Sequence, residues 1–148
     1  MIQTRNTSQR LKILEFLRSV KTHPSAEVVY EAVRKVLPTI SLATVYRNLN
    51  FLADRGEVLK LEINNEFRFD GDIGSHQHCV CRRCGQLGDV FHEEISRYAL
   101  DKVNSKDFKV DSVTIIYHGL CNMCNGGIKH GNKGKSNEGV CRRKPGKK

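Results

Sequence analysis

The sequence contains no run of about 18 apolar residues, and this absence excludes a membrane-spanning helix. Its first ten residues are polar and hold no apolar core segment, so we expect no secretory signal and predict the cytoplasm as the compartment. Three catalytic signatures are also missing: the nucleophile elbow G-x-S-x-G, a phosphate-binding glycine loop and the motif H-E-x-x-H. The sequence therefore predicts neither a membrane protein nor an enzyme with a small organic substrate.

Most of the chain has little net positive charge, and the excess is concentrated at its end. The 148 residues carry a formal net charge of +9, yet residues 125–148 alone contain eight Lys or Arg and one acidic residue. This Gly- and Lys-rich segment has no periodic apolar pattern, which predicts a disordered tail that either contacts nucleic acid electrostatically or only aids solubility. Net charge by itself is therefore no argument for DNA binding.

Apolar periodicity predicts a helical first half that ends in a hairpin. Helices are predicted over residues 8–20, from a cap at Ser25 to residue 36, and from Ser41 to a C′ residue at Gly56, and strands over 58–63 and 66–69. The two strands flank Asn64-Asn65, which is typical of a hairpin turn. Three helices followed by a hairpin is the order of a winged helix-turn-helix domain, although other small α+β domains share it.

A second unit follows the glycine-containing segment 71–75, which we interpret as a hinge. Strands are predicted over residues 76–81, 86–90 and 108–118, with a helix over 93–104. Acidic residues in the first turn support the helix, because they interact favourably with its N-terminal dipole. The order of elements predicts a small α/β unit.

Four of the six cysteines form two Cys-x-x-Cys pairs, Cys81/Cys84 and Cys121/Cys124. In a reducing compartment such pairs indicate metal binding rather than disulfides, and two of them complete a closed, structural four-thiolate zinc site. A thioredoxin-like redox pair would need a strand–helix context, which the sequence lacks here. Cys79 offers a further thiol, but the tight-turn spacing favours Cys81 as the ligand. Cys141 falls outside both pairs.

A second set of possible metal ligands lies next to the first cysteine pair. His76 and His78 alternate along a predicted strand, so both imidazoles project from one face of it. Asp70, Asp72 and Asp89 are nearby in sequence, and histidine with aspartate suits iron, manganese, zinc or nickel. Two surface histidines without any metal would give the same pattern.

Several short motifs occur in a fixed order over residues 7–124. They are Thr-Ser-Gln-Arg at 7–10, His-Pro-Ser-Ala at 23–26, Ser-Leu-Ala-Thr-Val-Tyr-Arg-Asn-Leu at 41–49, Phe-Arg-Phe-Asp at 67–70, His-Gln-His at 76–78 and the two Cys-x-x-Cys pairs. This series resembles the ferric uptake regulator (Fur) family of bacterial metal-dependent repressors. The resemblance implies an α+β fold, with a winged helix-turn-helix domain before a small α/β dimerisation domain, and a homodimer that binds a palindromic DNA operator.

The resemblance also assigns a role to each part of the chain. It implies a winged-helix DNA-binding domain at 1–70, a hinge at 71–75, a dimerisation and metal-binding domain at 76–124 and a basic tail at 125–148. A regulatory iron or manganese ion would bridge the two domains. Carried over by position, its ligands are His23, Asp70, His76, His78 and Asp89. Such an ion would favour the one relative angle of the domains that places both recognition helices one DNA turn apart.

The two aspartates favour one branch of the family. Both carboxylate positions, 70 and 89, are Asp, as in the peroxide-sensing repressors, whereas the iron-uptake branch usually has Glu at one or both. The implied mechanism is that bound ferrous iron reacts with hydrogen peroxide, that His23 or His76 is oxidised, and that the repressor leaves DNA. Three alternatives are an iron-, zinc- or nickel-responsive uptake repressor, a zinc-stabilised module without DNA binding, and a metallohydrolase, for which no general base is evident.

The exposed face of the third predicted helix supplies the candidate DNA contacts. Together with basic residues outside this helix, they are Thr44, Tyr46, Arg47, Asn50, Arg10 and Lys60. Tyr46 and Arg47 are the candidates for groove contacts, whereas Arg10 and Lys60 are expected to meet phosphates. Partial packing of Tyr46 in the core is the alternative for that residue.

Overall fold

A computed structural model of the chain describes residues 3–103 and 106–126. These residues divide into two compact units, with the boundary after Gly74. Cys141 and nearly all of the predicted basic tail lie outside the described residues. Within the described ranges, no helix has both the length and the apolar character needed to cross a membrane.

Unit 1 contains the three predicted helices and the predicted hairpin. Its elements are α1 (Gln3–Ser19), α2 (Ala26–Val33), α3 (Leu42–Asp54), β1 (Leu59–Ile63) and β2 (Glu66–Asp70). The strands pair antiparallel through a turn in which Asn64 and Asn65 both have positive φ, +53° and +61°. Two left-handed residues are what a two-residue type I′ hairpin requires, and asparagine adopts this conformation more readily than most residues. The hairpin prediction is therefore correct.

Two helix boundaries differ from the prediction. The first helix begins at Gln3 rather than at residue 8, because the polar residues before Ser8 continue the helix without adding to its apolar stripe. The second ends at Val33 rather than at residue 36, and Val36 is 63% exposed. The valine periodicity thus continues past the end of the helix to Val36, which does not pack into the core.

The core of unit 1 lies between the three helices and β2. Its fully buried side chains include Ile13, Leu17, Val29, Leu49 and Phe69. Burying one such side chain stabilises a fold by about 1.5–3 kcal/mol. This packing fixes α3 with its polar face outward.

Both ends of α3 are capped as the sequence predicts. The hydroxyl of Ser41 accepts a hydrogen bond from the backbone N–H of Thr44 at 3.2 Å. At the other end Gly56 has a φ of +69°, and the N–H groups of Gly56 and Glu57 donate to the carbonyls of Ala53 and Leu52, both at 2.9 Å. These bonds form a Schellman motif and leave few backbone groups of the helix unsatisfied.

Gly71, within the predicted hinge, is a site of close backbone packing. A Cβ added there would lie 2.7 Å from the backbone carbon of Leu17 and 2.8 Å from the backbone nitrogen of Arg18. We expect Gly71→Ala to lower the free energy of unfolding by about 1–3 kcal/mol, because backbone atoms cannot move aside as a side chain would. Urea denaturation followed by circular dichroism measures the change. Gly74→Ala is the control, since its Cβ would meet only the Asp72 side chain, and equal losses in the two variants would contradict this explanation.

The described residues of unit 2 form a three-stranded sheet and one helix. Its elements are β3 (Gln77–Cys81), β4 (Leu87–Val90), α4 (Glu93–Lys102) and β5 (Ile116–Gly119). The strand order is β4-β3-β5, in which β3 is antiparallel to β4 and parallel to β5. The central strand therefore carries His78 and Cys81, whereas His76, predicted to begin this strand, directly precedes it.

The predicted strand over 108–118 is wrong for most of its length. Only the last element, β5 from Ile116 onward, pairs with the sheet, whereas Phe108 is 76% exposed and Val110 is 43% exposed. Alternation of apolar and polar residues indicates that one face of a segment can be buried. It does not show which other strand or helix packs against that face. Among the described residues before Ile116, the carbonyl of Ile115 accepts a hydrogen bond from the N–H of His78 at 3.0 Å, but residues 108–114 form no strand.

Candidate metal centres and nucleic-acid interface

The four cysteines of the two Cys-x-x-Cys pairs come together in unit 2. All four sulfur atoms lie within 4.8 Å of one another; they belong to Cys81, Cys84, Cys121 and Cys124. The sulfurs of Cys84 and Cys121 are 3.7 Å apart. Zn–S bonds of about 2.3 Å place the sulfurs of a tetrahedral site about 3.8 Å apart, so the cluster fits a zinc ion with all four positions filled by protein.

Tight turns hold each cysteine pair. The N–H of Gly85, whose φ is +74°, donates to the carbonyl of Cys81 at 2.9 Å, and the N–H of Asn125 donates to that of Cys121 at the same distance. The guanidinium of Arg83 donates to the carbonyl of Cys124 at 3.1 Å and so joins the two turns. The turns therefore aim all four thiols at one point.

The environment of Cys81 favours the thiolate, which is the form that binds metal. Burial raises the pKa of this thiol, but the backbone N–H groups of Cys121, Cys84 and Arg83 outweigh burial and bring the pKa to about 6. Cys79, two residues earlier on β3, is exposed and lies outside the cluster, and burial of its sulfur raises its pKa. The two thiols thus differ in both position and acidity.

A nitrogen and oxygen donor set lies elsewhere in unit 2. His78 and Asp89 are direct partners across β3 and β4, and Nε2 of both His76 and His78 lies 3.9 Å from Oδ1 of Asp89. The imidazole centroids are 4.6 Å apart. Bonds of about 2.0–2.2 Å allow two ligands of one ion to lie up to about 4.3 Å apart, so these three side chains fit a single metal ion. Both imidazoles are buried, with at most 1% of each side chain exposed.

Gln77, between the two histidines, ties β3 to the start of α4. Its amide nitrogen donates to the hydroxyl of Ser96 at 2.7 Å and to the carbonyl of His92 at 3.0 Å. Its amide oxygen accepts from the N–H of His92 at 3.3 Å. The phenyl ring of Phe91 stacks on the imidazole of His76, with centroids 5.2 Å apart. These contacts hold β3, which carries His78, and the ring of His76 just before it.

Unit 1 contributes a buried His–Asp pair. Nε2 of His23 lies 3.2 Å from Oδ2 of Asp70, at the end of β2. His23 has a φ of +49° and precedes Pro24, and a non-glycine residue in this region costs about 1–3 kcal/mol. The N–H of Phe69 donates to the carbonyl of Pro24 at 3.0 Å, which holds the strained loop against β2. Strain of this kind clusters at functional sites, and no sequence pattern around His23 indicates it.

The exposed face of α3 carries polar and basic groups. The hydroxyl of Thr44 lies 2.9 Å from that of Ser41 and accepts a hydrogen bond from the guanidinium of Arg47 at 3.1 Å. Arg47 and Asn50 are exposed, and Asn48 is buried with its amide bonded to the Thr44 carbonyl at 2.9 Å. This face combines donors and acceptors in the way that contact with base edges requires.

The comparisons with known proteins settle the family. The model of the ferric uptake regulator family matches residues 1–118. The chain belongs to this family. Over 121 residues it is 35% identical to the peroxide-responsive repressor PerR of Staphylococcus saprophyticus, a match that covers 81% of this chain and 82% of that one.

Solved structures agree with the family assignment. The peroxide stress regulator of Campylobacter jejuni is similar with a TM-score of 0.68 and 29% identity, over 79% of this chain and 88% of that one. The ferric uptake regulator of Helicobacter pylori is similar with a TM-score of 0.66 and 26% identity, over 80% of each chain. The predicted α+β fold is thereby confirmed, and this member of the Fur family is a metal-responsive, DNA-binding transcriptional repressor.

Two predicted DNA contacts of this Fur-family chain are engaged with other side chains. The hydroxyl of Tyr46 donates to the carboxylate of Glu27 at 2.6 Å, which lowers the pKa of Glu27 and raises that of Tyr46, while the half-buried ring packs against the core. The ammonium group of Lys60 donates to Asn50 at 2.9 Å and lies 4.0 Å from the centre of the Phe67 ring. Lys60, which lies on β1, thus connects the β1–β2 hairpin to α3.

Proposed function

We propose that this chain is a homodimeric cytoplasmic repressor whose metal-loaded form binds a palindromic operator and whose iron-loaded form is inactivated by hydrogen peroxide. The observation that carries the proposal is the pairing of buried imidazoles with aspartate carboxylates in both units. His76, His78 and Asp89 form a set of two imidazoles and one carboxylate, which is a donor set typical of ferrous iron sites that react with oxygen species. The peroxide-responsive relatives support the same branch of the family.

A single regulatory iron or manganese ion is proposed to take ligands from both units. His23 and Asp70 would join the three donors of unit 2, so that binding of the ion and the arrangement of the units become linked. An ion can shift such an equilibrium only by its differential affinity for the two states. Ligands contributed by both units provide that difference, because any state that separates them loses part of the ligand set.

Oxidation of one ligand is proposed to reverse repression. When bound, ferrous iron would supply the electrons that split the O–O bond of hydrogen peroxide beside the ligand imidazoles. One peroxide oxygen would then be inserted into a ring C–H bond of His23 or His76 to form C–OH, the other would leave as water, and the electrons supplied by iron would return to it from the oxidised ring. The modified ring donates more weakly to metal, so affinity falls and the repressor leaves DNA. The protein is consumed in this reaction and does not turn over, which distinguishes it from an enzyme.

The four-cysteine cluster is proposed to hold a structural zinc ion. Its four thiolates complete the shell, so the site has no open position for peroxide or substrate. The sensing metal would then be bound by nitrogen and oxygen atoms. The structural metal would be bound by sulfur atoms.

The exposed apolar residues of unit 2 support the proposed homodimer. Five of them, each at least 41% exposed, are Tyr98, Val103, Phe108, Val110 and Tyr117. We infer that these side chains contribute to an interface between two copies of the chain, since a second copy offers the same surface in return. Two copies would then present two α3 helices to the two halves of a palindrome.

The proposed DNA contacts follow from the face of α3. Tyr46 and Arg47 are assigned to the groove, with Thr44 and Asn50 beside them. Arg10 and Lys60 are assigned to backbone phosphates, where charge matters more than base identity.

Peroxide treatment of the metal-loaded protein tests the function. We expect the iron-loaded protein to gain one oxygen atom on the peptide of His23 or His76 and to lose operator binding, whereas the manganese-loaded protein gains none and stays bound. Mass spectrometry of proteolytic peptides and a mobility-shift assay measure the two results. Iron-loaded protein that binds DNA but gains no oxygen would instead indicate an uptake repressor of the same family.

A further inference from the structure

A cleft between α1 and α3 combines two arginines with an exposed aromatic ring. Its volume is about 270 Å³, and it is lined by Arg10, Thr44, Arg47, Asn48 and Phe51. The guanidinium carbon of Arg10 lies 4.2 Å from the centre of the Phe51 ring. Phe51 is 41% exposed, so its ring is not needed to fill the core.

We propose that this cleft is a subsite for a backbone phosphate of duplex DNA and that Phe51 is the positioning residue that holds Arg10 in it. None of the five lining residues is acidic, and the Arg10 guanidinium and the Thr44 hydroxyl are donors for phosphate oxygens, while Arg47, assigned to the groove, adds positive charge beside them. This inference rests on the DNA-binding function proposed above and adds to it the residue that orients one contact.

The ring of Phe51 restrains an otherwise mobile side chain. Arginine has several rotatable bonds, and fixing them when DNA binds costs conformational entropy. A guanidinium held over a ring before DNA arrives incurs less of that cost. The guanidinium carbon of Arg55 lies 5.6 Å from the same ring centre, but Arg55 also pairs with Glu57 at 3.2 Å. Arg10 is therefore the cation that the ring holds for phosphate.

Binding measurements on single and double variants test this subsite. The probe is a labelled duplex that the wild-type full-length protein selects from a random-sequence library with manganese present. We expect Arg10→Ala to weaken binding about tenfold and to reduce the slope of log affinity against log salt by about 0.9. Lys12→Ala, which removes a charge from the same helix outside the cleft, is expected to leave the slope unchanged.

If Phe51 acts by positioning Arg10, the effect of a Phe51 substitution on DNA affinity should depend on whether Arg10 is present. We expect Phe51→Leu to weaken binding about two- to fivefold in the wild-type protein, to have no effect in the Arg10→Ala variant, and to be rescued in Phe51→Tyr, which keeps the ring. Equal effects of Phe51→Leu in both backgrounds would overturn the positioning role, and an unchanged salt slope in Arg10→Ala would overturn the phosphate subsite. Selection of no duplex by the wild-type protein would overturn the proposed function itself, and the subsite with it.

Discussion

Cys124→Ser is expected to lose the structural zinc ion and to unfold unit 2. The buried apolar side chains among the described residues of this unit are few: Val80, Cys81 and Cys124. Such a small core contributes little stability on its own. Structural zinc sites in small peptides contribute about 10–16 kcal/mol, as much as the whole stability of an ordinary domain. Zinc content per chain and far-UV circular dichroism measure the loss.

Cys79→Ser provides the matched control for this result. It makes the same chemical change in the same unit, but at an exposed thiol outside the cluster. We expect one zinc ion per chain and an unchanged spectrum in this variant. If Cys124→Ser kept its zinc, or if both variants lost it, the four-cysteine assignment would be incorrect.

His78→Ala is expected to weaken the response to the regulatory metal strongly while the zinc site stays filled. Changing a residue that merely supports a ligand lowers metal affinity about 10–100-fold, so removal of the ligand itself should raise the manganese concentration needed for operator binding by at least about 100-fold. Titration of DNA binding with manganese measures this midpoint. Asp89→Asn should behave similarly, although it preserves the size of the side chain.

His118→Ala controls for the removal of an imidazole from unit 2. His118 lies on β5, is exposed, and belongs to neither donor set. Its manganese midpoint should match that of the wild-type protein. An unchanged midpoint in both His78→Ala and Asp89→Asn would exclude the two residues as ligands, provided that circular dichroism shows all variants folded.

The elements of unit 1 could be predicted because their signals are local. The caps at Ser41 and Gly56, and the Asn64-Asn65 turn, act through hydrogen bonds and backbone angles within a few residues. The two Cys-x-x-Cys pairs are local as well, since a tight turn alone aims two thiols at one point. The segment before Ile116 was mispredicted because strand formation depends on a partner strand, which alternation does not reveal.

Other features depend on contacts that sequence spacing does not encode. The proximity of Asp89 to His78 follows from the register of β3 against β4, and that register is set by packing rather than by either strand alone. The left-handed backbone of His23 and the placement of Arg10 over Phe51 likewise arise from elements that meet only in the folded unit.

By itself, the sequence determined the family, the winged-helix order of elements and the identity of the sulfur donors, because each of these is expressed in motifs of a few residues in a fixed order. The tertiary structure alone decided how far the imidazoles lie from a carboxylate and which aromatic ring lies beside the guanidinium of Arg10. The physical reason is that bonding to a metal or a phosphate depends on distances of a few ångströms between side chains, and only long-range packing sets those distances.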